Sequence, residues 1–99
     1  MTKDEYLLVV LSEECAEVQQ AVSKALRFGL NNCHPDTPGC TNEYNILYEF
    51  YQLEEVMYML FDSGALHELS PLDKFNIQTD KMDKVEHYLS LSRDLGIIK

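Results

Sequence analysis

The chain has no tryptophan, only four glycines and three prolines, and few basic residues: eight Lys and Arg stand against 17 Asp and Glu, for a formal charge of −9. So little Gly and Pro leaves too few turn formers for a fold of many short strands, and helix is favoured. The shortage of Lys and Arg argues against nucleic acid as a partner, because binding a phosphate backbone depends on clustered basic side chains. A free nucleotide is compatible with the same charge, since a divalent cation can bridge its phosphates to carboxylates. No apolar run reaches the roughly 18 residues that a membrane span requires. The opening Met1-Thr2-Lys3-Asp4-Glu5 has none of the apolar stretch of a signal peptide, so a cytoplasmic protein is expected. Cys15, Cys33 and Cys40 are an odd number of cysteines, which favours reduced thiols over a disulfide framework.

The residues that are present describe a helical protein. The 99 residues are 45% hydrophobic and make one domain, 1–99. A chain this short buries only about 60–70% of the surface its unfolded form exposes, so the expected fold is an all-α bundle completed by oligomerisation. Thr2-x-x-Glu5 reads as a capping box, and helical periodicity runs from there to Gly29, giving a first helix over about 3–28. At 1.5 Å per residue it is about 39 Å long, a length typical of bundles. Leu30 to Cys40 holds two prolines and a glycine and reads as a loop. Thr41 or Asn42 caps a second helix to about Gly64, with Ile46, Phe50, Leu53, Met57 and Leu60 as its core stripe. Ser70-Pro71 opens a short turn of helix near 71–76, and Thr79 or Asp80 caps a last helix to about Leu95 that turns Met82, Val85, Leu89 and Ser92 inward.

The chemistry is carried by acids. Glu13, Glu14 and Glu17 lie within one turn of the first helix, roughly 5–6 Å from one another, and a second acidic group runs from Glu49 to Glu55 on the next helix. Like charges this close destabilise a helix unless a cation sits among them. The plain reading is a solvated acidic face. The flanking turns, Tyr6 to Leu11 and Val18 to Leu26, are apolar, which places the acids beside a cleft where Mg²⁺ can be held by oxygen ligands.

Residues 13–30, Glu-Glu-Cys-Ala-Glu-Val-Gln-Gln-Ala-Val-Ser-Lys-Ala-Leu-Arg-Phe-Gly-Leu, resemble the first motif helix of the MazG-like, all-α nucleoside triphosphate pyrophosphohydrolases, particularly their small phage-borne forms. The resemblance covers about residues 5–62. That family carries E-E-x-x-E on one helix and E-x-x-D on the next. The first motif is intact here as Glu13, Glu14 and Glu17. The second departs once in either register: Glu49 is followed by Gln52, and Gln52 by Glu55. The Glu49–Gln52 register keeps Phe50 and Leu53 in the core stripe and is preferred, with Glu55 as a substitute ligand. The resemblance implies a homodimer or homotetramer that uses Mg²⁺, or Mn²⁺, to hydrolyse a nucleoside triphosphate to monophosphate and pyrophosphate. It implies metal ligation by Glu13, Glu14, Glu17 and Glu49, with Gln52 or Glu55 in support and one free carboxylate taking a proton from water. Gln52 motivates the alternative, a catalytically weakened module that senses nucleotides or binds another protein.

Lys24 and Arg27 return to nearly the helix face of Glu13 and are candidate contacts for the phosphates, against the simpler reading of cations that complement the helix C-terminus. Cys33-His34 and Cys40 lack the paired spacing of a zinc site. Tyr44, Tyr48, Tyr51 and Tyr58 recur at helical spacing, suited to subunit packing or to stacking on a base.

Overall fold

The computed structural model describes all residues, Met1–Lys99. Thr2 starts helix α1 (Lys3–Phe28): its hydroxyl accepts a hydrogen bond from the Glu5 backbone N–H at 3.1 Å, and the Glu5 carboxylate accepts one from the Thr2 N–H at 2.9 Å. Both otherwise unsatisfied donors of the first turn are used, as the capping box predicts. Gly29 stops the helix because the chain there takes φ 94°, a conformation that costs a side-chain-bearing residue far more than glycine. Helix α2 (Asn42–Ser63) is capped by the Thr41 hydroxyl, which accepts from the Tyr44 N–H at 3.1 Å, and ends at Gly64 in the left-handed region.

The loop between them fastens the end of α1 to the start of α2. Cys33 and Thr41 form an isolated antiparallel bridge, the Asn42 N–H donates to the Asn32 carbonyl at 2.9 Å, and the Asn42 amide donates to the Gly29 carbonyl at 2.7 Å. Asn42 is buried, and this bond removes the cost of hiding its amide. At the opposite end of the pair, Leu7 packs with Val56 and a fully buried Leu60, flanked by Val10, Leu11, Ala65 and Leu66. Ala21 and Ala25, also buried, put small side chains on α1 near the loop. Core at one end and backbone ties at the other set α1 and α2 antiparallel in a single register.

The chain divides into two compact units, Met1–His67 and Glu68–Lys99. The second is built on helix α3 (Pro71–Asp94), capped by the Ser70 hydroxyl on the Asp73 N–H with Pro71 in the first turn. The expected break between a turn at 71–76 and a helix from Thr79 is absent, and α3 is continuous. No Gly or Pro interrupts residues 72–94, so the capping preference of Thr79 and Asp80 has no breaker to act with and helix propagates through them. Asp80 instead pairs with Lys84 one turn on at 3.0 Å. No residue of α3 is buried: Leu89 and Ser92 are half-buried, while Met82 and Val85, expected inward, are 58% and 50% exposed. Phe50 likewise leaves the expected core stripe of α2 at 44% exposed, and Val56 takes a place in the core that the stripe did not assign.

Candidate functional site

The register of the two helices decides which acids meet. Glu14 and Glu17, one turn apart on α1, face Glu49 on α2, and one carboxylate oxygen from each lies within 4.8 Å of the others. Glu14 and Glu49 are half-buried and Glu17 is exposed. Glu14 Oε2 and Glu49 Oε2 are shut off from solvent with no hydrogen-bond partner. An acidic face that existed only for solubility would leave its oxygens in water. Two occluded, unpartnered carboxylate oxygens are costly groups, and a cation placed among them would satisfy both.

The electrostatics agree with that geometry. Burial pushes the Glu14 carboxyl above its ordinary range, and the charges of Glu17 and then Glu13 push it further. Glu49 is also raised, first by burial, then by the close approach of the Glu17 carboxylate, which favours the protonated form, and by the charges of Glu17 and Glu14. Both shifts have the sign expected where carboxylates crowd without a countercharge.

Of the other candidates, Glu13 is exposed and outside the trio, acting on Glu14 through its charge. Glu55 is exposed and also outside the trio. Gln52 is exposed, three residues after Glu49 on α2. Lys24 lines a cleft of about 740 Å³ at the loop end of the helix pair. Arg27 lies with its guanidinium carbon 5.0 Å from the centroid of the Phe28 ring, a cation–π contact. Cys33, His34 and Cys40 line the same cleft but do not converge as metal ligands. Tyr44, Tyr48, Tyr51 and Tyr58 are between 49% and 59% exposed, in neither the core nor the cleft. Sequence reasoning gave no role to Phe28, Asn32 or Asn45, which also line the cleft. Their only sequence signal is position: Phe28 precedes Gly29, Asn32 follows it by three residues, and Asn45 follows the α2 cap Thr41 by four.

No family model, curated protein or solved structure matches the chain. The case for function therefore rests on the trio, the cleft and the resemblance carried by residues 13–30.

Proposed function

We propose that the chain is a metal-dependent nucleoside triphosphate pyrophosphohydrolase of MazG-like type, with Glu14, Glu17 and Glu49 holding Mg²⁺ or Mn²⁺. The observation that carries this reading is the meeting of three carboxylates from two helices around two buried, unpartnered oxygens. An all-oxygen donor set suits a hard divalent cation and leaves coordination positions for water and phosphate. When bound, such a cation neutralises phosphate charge and makes water more acidic. The protein's own part is to fix three oxygens on rigid helices, so that little reorganisation is needed when substrate arrives. Glu13 supplies a free carboxylate beside them to accept a proton. Lys24, further along α1, is placed to meet phosphate oxygens.

The test is a panel of ribo- and deoxyribonucleoside triphosphates incubated with Mg²⁺ or Mn²⁺. Pyrophosphate and the monophosphate are expected in equal amounts from at least one of them, and none with chelator. Absence of metal-dependent release across the whole panel would favour the alternative of a nucleotide-sensing or protein-binding module, which exposed Gln52 in place of an acid motivates.

A homodimer or homotetramer belongs to the same proposal. It is supported by the exposed tyrosines of α2 and by the apolar residues of α3, among them Leu72 at 67%, Phe75 at 62% and Tyr88 at 62% exposed. Sedimentation at micromolar concentration is expected to give at least twice the chain mass of 11.5 kDa, and a monomer alone would refute it.

A further inference from the structure

The cleft at the loop end differs from the rest of this acidic molecule. No Asp or Glu lines it, and Lys24 is the only permanently charged residue that does. In a chain of net charge −9, a lining that holds a cation and no carboxylate does not repel a nucleotide, whose phosphates are anionic. Phe28, one turn after Lys24, is 55% exposed and presents an aromatic surface there, while the Arg27 contact holds its ring.

Three asparagines complete the lining, and two of them are committed in one direction. The Asn42 amide N–H₂ donates to the Gly29 carbonyl, and the Asn32 amide N–H₂ donates to the Phe28 carbonyl. A carbonyl can only accept, so the Asn42 bond fixes the orientation of that buried amide and leaves Oδ1 as what it has to offer a ligand, and the exposed Asn32 amide is turned the same way. Asn45 makes no side-chain hydrogen bond within the protein and keeps both donor and acceptor. The two oriented amides thus offer acceptors, beside the donors of Lys24 and Asn45.

Position links it to the carboxylates. Lys24 follows Glu17 by seven residues on α1, and Asn42 precedes Glu49 by seven on α2. Seven residues are nearly two helical turns, about 10.5 Å along the axis and close to the same face. Both helices therefore lead from the trio to the cleft, past Lys24, over a span that a sugar and its phosphates can bridge.

We infer that this cleft seats the nucleobase, and that it selects cytosine and adenine over bases that carry a carbonyl in place of their amino group. Cytosine and adenine present an amino group, at C4 and C6, to the two oriented Oδ1 atoms. Uracil and thymine present carbonyl oxygens where those amino groups would be, leaving acceptor against acceptor. The inference rests on reading the trio as the phosphate end of a nucleotide site, and it assigns the base end of that same ligand.

The experiment is isothermal titration of the full chain, with Mg²⁺ present, using two pairs of 5′-monophosphates: CMP against UMP and AMP against IMP. Within each pair an amino group is replaced by a carbonyl, and a monophosphate gives no pyrophosphate to complicate the heats. The amino member is expected to bind about tenfold more tightly, a difference of the size one or two hydrogen bonds produce. Asn32→Ala should cut that ratio several-fold. Phe28→Ala should weaken all four ligands together and preserve the ratio, as loss of stacking would. Should circular dichroism show Asn32→Ala unfolded, the wild-type ratio and Phe28→Ala decide the matter. Equal binding within both pairs overturns the inference, as does a ratio that a folded Asn32→Ala leaves intact; metal-dependent hydrolysis seen alongside either result keeps the reading of the trio. Selective binding without any pyrophosphate release supports the base site and removes the hydrolase reading.

Discussion

Glu17→Gln is expected to reduce metal-dependent pyrophosphate release by about 10²-fold or more, the scale of losing one preorganised electrostatic group. Glu17 is the exposed member of the trio and contributes nothing to the buried core, so the variant should fold, and in chelator it should melt no lower than wild type, since loss of the Glu17 charge relieves Glu14 and Glu49. The two proteins should separate when metal is added. A cation that binds the folded chain alone stabilises it by mass action, about 2.7 kcal/mol at a hundred times its dissociation constant. Replacing a charged oxygen by a neutral amide of the same shape weakens ligation and removes most of that gain. The measurement pairs thermal melts, with and without Mg²⁺ or Mn²⁺, with pyrophosphate release. Retention of both the thermal gain and the activity in Glu17→Gln would show that the trio is not the metal site.

Glu49→Gln should raise the stability of the metal-free protein at neutral pH. Burial and the neighbouring acids make Glu49 harder to ionise in the folded chain than in the unfolded one, whose reference value is 4.5. The folded state consequently holds more protons than the unfolded state as pH rises above 4.5, and stability falls through that window until both forms are ionised. Glu14 adds a contribution of the same sign. Wild type in chelator should therefore lose stability from these two groups between mildly acidic and neutral pH, against the usual trend for salt-bridged carboxylates. Glu49→Gln should flatten that loss. A gain of about 1 kcal/mol from removing the Glu49 charge would raise Tm by about 4–8 °C in a domain of this size. The same variant should lose the thermal gain from Mg²⁺. A Glu49→Gln protein that is less stable than wild type in chelator at neutral pH would mean that the Glu49 carboxylate is well accommodated and that the trio is not strained.

The acids are unequal, and that inequality was only partly legible beforehand. The E-E-x-x-E spacing places Glu13, Glu14 and Glu17 near one another on any helix. It does not say which of them turn toward a neighbour. The packing of Leu7 against Val56 and Leu60, and the tie from Asn42 to Gly29, fix how far α2 is advanced along α1, and this brings Glu49 opposite Glu14 and Glu17. A shift of one residue in that register would rotate a different acid into place. Glu55, six residues after Glu49, lies well round the helix from it and falls outside the trio.

Local signals were enough for the first two helices, since their boundaries are written in side chains that act within one turn: Thr2 with Glu5, Gly29, Thr41 and Gly64. Local signals misled at Thr79 and Asp80, where capping residues occur inside a run with no breaker and α3 passes straight through them. The sequence by itself determined that the chain is helical, where α1 and α2 start and stop, and that acids gather at one level of each. Only the tertiary structure decided which three carboxylates meet, that two of their oxygens are hidden without partners, and that a carboxylate-free cleft with oriented asparagines lies further along the same helices. Capping and periodicity operate over three to five residues of one strand of chain, whereas burial and the pairing of side chains depend on the register between helices, which is set by contacts far apart in sequence.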